Sequence, residues 1–257
     1  MDSTNYYISF FAFVFGAMLG SFFLVLADRF PKQGLRGVTI GRSNCENCKR
    51  SLGFLDLVPL ISFIALQGKC RYCKTALSWR YFFVELIFGF LAFLIYRQYG
   101  INPSSLLNLL IIYLLIVVGL IDWDTQLISE QMLLVVVAFI IIQKFLTGFD
   151  INSIILGLII GGGIFAAIVI ISKERWMGVG DIELGALLGL WLGYPLIIPT
   201  LYLAIIIGAI YGLLLITAKK ATGKTAISFA PFLITGAIIT LFFGQFVIQW
   251  YLESFMV

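Results

Sequence analysis

Apolar runs long enough to cross a bilayer, separated by short polar breaks, fill almost the whole chain. A spanning helix needs about 20 mostly apolar residues. Eight runs meet or approach that length: 7–27, 81–99, 105–121, 132–145, 151–171, 182–192, 196–217 and 227–250. The fourth and sixth are short. The N-terminal run does not read as a signal peptide, because no basic region precedes it, its apolar stretch is too long and no small-x-small site follows. One polar stretch, 28–80, interrupts the pattern, and its middle, 54–66, is apolar enough to pack on or dip into the membrane interface. No internal repeat, low-complexity tract or flexible linker is evident. The pattern predicts an all-α, polytopic membrane bundle of about eight transmembrane helices with one small loop domain. Its divisions are 1–27, a first transmembrane helix; 28–80, the loop domain; and 81–257, the transmembrane core.

Composition agrees: 61% of the residues are hydrophobic and 12% charged, against about 45–50% and about 25% in an ordinary soluble domain. Charge sets an orientation. Arg29, Lys32, Arg36, Arg42, Lys49, Arg50, Lys69, Arg71, Lys74 and Arg80 fall in 28–80, against the acids Asp28, Glu46 and Asp56. Basic loops favour the cytoplasmic side. With 28–80 in the cytoplasm, alternation through eight runs places Lys173, Arg175, Lys219, Lys220 and Lys224 there too, leaving only Arg97 and Lys144 outside. Both termini are then on the outer face. No nucleic-acid partner is expected; membrane lipid is.

The sequence contains no histidine, which removes Ser-His and Cys-His nucleophile pairs and the HExxH zinc site. The four cysteines fall in two pairs, Cys45-Glu-Asn-Cys48 and Cys70-Arg-Tyr-Cys73. Two CxxC knuckles at about this separation suit a tetrahedral four-cysteine zinc site, structural because all four positions are filled by protein. Basic neighbours would stabilise the thiolates. The alternative, two disulfides, conflicts with a cytoplasmic location, where thiols stay reduced.

Carboxylates at the ends of spanning segments are functional candidates. Ile121-Asp122-Trp123-Asp124 ends the third run, where a carboxylate faces the negative end of the helix dipole. Gly178-Val179-Gly180-Asp181 opens the sixth, and has a plain alternative as a glycine turn with Asp as helix cap. Span counting puts Asp122 and Asp181 on one face. Adjacent carboxyls in a low dielectric share one proton; the ionised one activates water while the protonated one polarises a peptide carbonyl. The glycines would let a substrate backbone approach Asp181 closely. A Ser-Lys protease is the other histidine-free route, but no serine stands near the lysines as an obvious partner. A transporter or channel using intramembrane acids for protons or cations explains the aspartates but not the cysteine loop. A zinc-stapled scaffold without catalysis explains the cysteines and treats the aspartates as caps. The small-residue run Gly157…Gly161-Gly162-Gly163 reads as close helix packing.

Five segments in order resemble the type IV prepilin peptidases, the prepilin leader peptidase/N-methyltransferases of bacterial membranes. They are Gly20-Ser21-Phe22 with Arg29-Phe30-Pro31; the two CxxC pairs with Gly68-Lys69 and Arg80-Tyr81…Glu85; Asp122-Trp123…Ile128; Gly178-Val179-Gly180-Asp181, similar to the GxGD motif of intramembrane aspartyl proteases; and Ser228-Phe229-Ala230-Pro231-Phe232. Departures are Leu24 for the family's Asn, Ser129 for Pro, Glu130 for Asp or Asn, Glu183 for Lys, and Ser228-Phe229-Ala230 for Pro-Phe-Gly. The resemblance implies a multi-pass protein of the bacterial cytoplasmic membrane whose active site, at the cytoplasmic face, cuts the basic leader of type IV prepilins or pseudopilins. It also implies methylation of the new N-terminus by S-adenosylmethionine. Asp122 and Asp181 would be the catalytic pair, with Asp124 the alternative for the first. Gly178, Gly180 and Asp124 would contact substrate, and Cys45, Cys48, Cys70 and Cys73 would bind zinc.

Overall fold

The computed structural model describes residues 3–39, 43–45, 47–220, 222 and 225–255. Arg42, Glu46 and Lys224 from the charge count lie outside the described residues, as does the Arg36 side chain. Among the described residues the regular structure is helical: α1 Ser3–Thr39, α2 Ile61–Ala65, α3 Trp79–Tyr99, α4 Pro103–Thr125, α5 Glu130–Thr147, α6 Ile151–Ser172, α7 Val179–Leu192, α8 Ile197–Thr217 and α9 Ala230–Phe255. A 3-10 turn, Phe54–Asp56, precedes α2. The only β pairing among these residues is two isolated bridges, Asn44 with Ser51 and Lys69 with Ala76.

Seven helices are long and apolar enough to cross a membrane; they lie within α1, α3, α4, α5, α6, α8 and α9. The sixth predicted run differs. It forms α7, of 14 residues, which at 1.5 Å per residue spans about 21 Å against a hydrocarbon core of about 30 Å. Gly193, with φ of 72°, ends it. Its apolar character reflects burial among helices: Leu184, Leu187, Leu188, Trp191 and Leu192 are all buried, and α7 packs against α5, α6, α8 and α9. The first helix runs on past the apolar stretch to Thr39, kinking at Gly34, whose φ is 62°.

The chain divides into two compact units, 1–113 and 114–257, with the boundary inside α4. In the first, α1 lies along α3. Phe88 and Tyr113 pack with ring centroids 4.2 Å apart, and Phe23 meets Tyr113 edge-on at 5.6 Å. Tyr113 is fully buried, and its hydroxyl donates to the Phe88 carbonyl at 2.7 Å, which satisfies a group that would otherwise be costly to bury. Glu85 on α3 is buried too. It accepts the Leu60 N–H at 2.8 Å and the Ser21 hydroxyl, so one carboxyl fastens the 54–66 segment to α1 and α3.

In the second unit α6 and α7 meet through glycine. A methyl group at Gly161 would strike the Gly185 carbonyl, and one at Gly157 the Gly189 carbonyl; the reverse contacts hold from α7. Glycines four residues apart on both helices give the close approach of a small-xxx-small interface. Gly162 faces Ala186, whereas Gly163 faces open space. The packing reading of this run therefore holds for 157, 161 and 162, but not for 163.

Candidate active site and metal centre

Asp122 stands in the last turn of α4 and is buried. Its main-chain carbonyl accepts twice, from the Gln126 N–H at 2.8 Å and from the Ser228 hydroxyl at 2.8 Å. Ser228, just ahead of α9, thus adds a second donor, from 106 residues away, to a carbonyl that the N–H of Gln126 already satisfies. The Ala230 N–H donates to the Asp122 carboxylate. The Oδ2 atom of Asp122 is buried with no hydrogen-bond partner. A free buried carboxylate oxygen is costly.

Asp181 is the third residue of α7 and is half-buried. Its Oδ2 accepts the N–H of Gly178, the N-cap, at 3.2 Å. The capping alternative from the sequence is thus present in modified form: Gly178 occupies the cap and Asp181 reaches back to it. The Gly178 contact engages Oδ2, and Asp181 also lies within reach of the Asp122 charge. The two aspartates, 59 positions apart, are electrostatic neighbours. Ile128 helps explain how. A Cβ at Gly180 would fall 2.9 Å from the Cβ of Ile128, so glycine there lets the start of α7 close on the segment leaving α4. Gly178 has open space where a side chain would stand. Asp124, the alternative first aspartate, is exposed and carries other interactions of its own. Trp123 between the two packs edge-on to Tyr211 at 5.5 Å and to Phe232 at 6.5 Å, fixing the end of α4 beside the start of α9.

The four cysteines converge. All four Sγ atoms lie within 4.8 Å of one another and can hold a metal ion. Each pair sits in a knuckle, and the two knuckles repeat at a spacing of 25. The Cys45 N–H donates to the Arg50 carbonyl at 3.0 Å and Lys49 N–H to Cys45 at 2.9 Å; the Cys70 N–H donates to Thr75 at 2.9 Å and Lys74 N–H to Cys70 at 3.0 Å. Lys49 and Lys74 both take positive φ, 55° and 60°. This overturns the expectation of no internal repeat: C-x2-C-K-x2-L occurs at Cys45–Leu52 and again at Cys70–Leu77. The Asn47 amide donates to the Thr75 hydroxyl at 2.7 Å, joining the knuckles.

Local hydrogen bonds favour thiolate at Cys45 and Cys73. Those from the N–H groups of Cys48 and Asn47 hold Cys45 below its ordinary value. The Thr75 hydroxyl, 3.4 Å from Cys73 Sγ, and the Thr75 N–H draw Cys73 down to about 5. Cys48 is pushed to about 11; the Arg50 N–H opposes this, but burial and the adjacent sulfurs outweigh it. Three residues in these arrangements went unsingled as site residues in the sequence: Ser228, Ala230 and Ile128. All three stand in the motifs that carry the family resemblance.

Residues 14–99 match the family described as the Bacterial Peptidase A24 N-terminal domain, and residues 109–213 match the Type IV leader peptidase family. A prepilin leader peptidase/N-methyltransferase of Bacillus subtilis (strain 168) is 28% identical over 243 residues, covering 94% of this chain and 96% of that protein. The protein of that name from Legionella pneumophila is 30% identical over 222 residues, covering 84% and 77%. One from Pseudomonas aeruginosa is 29% identical over 228 residues, covering 87% and 79%. No solved structure matches the chain. The matched regions take in Cys45, Cys48, Cys70 and Cys73 on one side and Asp122 and Asp181 on the other, and the chain belongs to the type IV leader peptidase family.

Proposed function

We propose that this chain is a membrane-embedded aspartyl endopeptidase that removes the leader of type IV prepilins or pseudopilins, and then methylates the exposed amine. The observation that carries the reading is that Asp122 and Asp181, from different helices, lie within electrostatic reach of each other, with one Asp122 oxygen buried and unpartnered. Two carboxyls that meet around a substrate in a low dielectric hold one proton between them. The ionised member takes a proton from water, whose oxygen attacks the scissile carbonyl carbon; the protonated member gives its proton to the carbonyl oxygen. The tetrahedral diol then collapses: one of its hydroxyls returns a proton to the carboxylate that had given its own away, the C–N bond breaks, and the leaving nitrogen takes the proton that the other carboxyl had drawn from water. Each carboxyl returns to its starting state. The open space at Gly178 leaves room for a substrate backbone beside Asp181. Asp124, exposed beside the pair, would contact substrate rather than react.

The relatives' names pair the peptidase with an N-methyltransferase, and the reading extends both to this chain, with S-adenosylmethionine as methyl donor. The concentration of cations in 28–80 supports a cytoplasmic-face site in the inner membrane. The cysteine cluster suits zinc: Cys45 and Cys73 Sγ lie 3.7 Å apart, and a tetrahedron with Zn–S bonds of about 2.3 Å has an edge of about 3.8 Å. Bound there, zinc would supply folding free energy to a loop with little core of its own. Its four ligands would be Cys45, Cys48, Cys70 and Cys73.

The test is a cell-free assay with purified protein and a prepilin-like peptide, read by mass spectrometry of the product N-terminus. Expected are leader loss without any added cofactor and one added methyl group only when S-adenosylmethionine is present. Folded protein that leaves the peptide intact, but conducts protons or cations in liposomes, overturns the reading.

A further inference from the structure

The loop segment between the cysteine knuckles displays an apolar surface that its own fold does not cover. Phe54 is 81% exposed and Ile61 67%, with Leu55, Ile64 and Trp79 nearly as open. These are not strays from a failed core, because Phe63 between them is buried. Phe63 packs at a tilt against Trp79, with ring centroids 5.1 Å apart, and against Phe82 at 5.6 Å, and its ring closes over Gly68. The short helix α2 is therefore two-sided, with Phe63 turned to the protein and Ile61 and Ile64 turned away.

Depth and charge identify what meets the outward side. Trp79 opens the spanning helix α3, so its contact with Phe63 fixes α2 at the level of the first turn of α3. That is the membrane–water boundary, where tryptophan is enriched. Glu85 holds the Leu60 N–H from one turn and a half farther along α3, which keeps the hairpin at this level. Cations bracket the apolar segment: Lys49 and Arg50 before it, Lys69, Arg71 and Lys74 after it, all exposed. Asp56 pairs with Arg71 and, despite its burial, is held below the usual carboxylate range by the Gly53 N–H and that guanidinium. Among the described residues, Lys49, Lys69 and Lys74 form no ion pair. An apolar face flanked by lysines at the boundary is the pattern of an interfacial element on anionic lipid.

We propose that residues 54–66, with Trp79, form a membrane-seated hairpin that inserts Phe54, Leu55, Ile61 and Ile64 among the lipids, while Lys49, Lys69 and Lys74 contact anionic phospholipid headgroups. The hairpin thereby holds the four-cysteine cluster against the membrane surface. The inference is independent of the catalytic assignment.

The test places a photo-crosslinking benzoylphenylalanine at Phe54 or at Ile61 in the full-length protein, reconstituted in nanodiscs. The discs contain phosphatidylcholine alone, or mixed with phosphatidylglycerol, and adducts are identified by mass spectrometry. Lipid adducts are expected at both positions, several-fold more with phosphatidylglycerol. The variant Lys69→Gln/Lys74→Gln is expected to lose that excess and keep the basal labelling. A probe at Phe63 is expected to label protein. Adducts at 54 and 61 to a second copy or to the protein itself, absence of lipid adducts, or labelling indifferent to phosphatidylglycerol each overturn the proposal.

Discussion

The hydroxyl of Ser228 donates to the main-chain carbonyl of Asp122 across 2.8 Å, and the Ala230 N–H two residues on donates to the same aspartate's carboxylate. The entry into α9 thus holds both the backbone and the side chain of Asp122, leaving its Oδ2 free. Ser228→Ala should remove one net hydrogen bond, about 1 kcal/mol. The expected result is kcat for leader cleavage lower by about five- to tenfold, with KM little changed and Ser228→Thr restoring most of the loss. Steady-state kinetics on a prepilin-like peptide decides; equal loss in both variants would mean that packing matters and the hydroxyl does not.

Asp122 and Asp181 differ from Asp124 in burial and in each other's company. Asp122→Asn and Asp181→Asn should each abolish cleavage, since neither half of the proton exchange works alone, while both proteins accumulate in membranes. Asp124→Asn should keep kcat within about tenfold and act mainly on KM, as expected of a group that binds without reacting. Cleavage assays beside membrane quantitation separate lost chemistry from lost protein. Retained cleavage in both single variants would remove the dyad.

The cysteine knuckles give a prediction about metal. Wild-type protein purified without chelator should carry one zinc per chain by elemental analysis, and Cys70→Ser none. Structural zinc contributes on the order of 10 kcal/mol to small domains, far more than a loop this size gains from burial. Chelation should therefore expose 43–78 to limited proteolysis while the spanning helices stay protected. An unchanged digestion pattern would show that the loop folds without metal.

How far the sequence disclosed all this depended on the range of the interaction. Cysteine spacing is local, so Cys45, Cys48, Cys70 and Cys73 could be grouped before any fold was known. Asp122 and Asp181 were legible because charge at the end of an apolar run is expensive and therefore informative. Ser228 was not legible as a partner of Asp122, because a hydrogen bond over 106 positions leaves no local trace. The knuckle repeat escaped because C-x2-C-K-x2-L is only eight residues long, far below the size of a structural repeat unit. The run that becomes α7 could be read as short but not as interior, since leucines facing a helix and leucines facing lipid look alike in sequence.

That interior helix carries the last prediction. Asp181 is positioned by α7, and α7 by its glycine contact with α6. Gly161→Ala would drive a methyl group into the Gly185 carbonyl, and Gly185→Ala one into Gly161. Backbone cannot swing aside as a flexible side chain can, so the helices must separate. Overpacking of this kind costs about 1–3 kcal/mol, and the displacement moves the N-terminus of α7 away from Ile128 and Asp122. Both variants should show a lower Tm in detergent together with a fall in kcat. Gly163→Ala meets open space and should change neither. If Gly163→Ala proves as damaging as Gly161→Ala, helix conformation and not interhelical distance is what these glycines serve. If Gly161→Ala lowers Tm while kcat holds, the α6–α7 contact supports the bundle without setting the placement of Asp181.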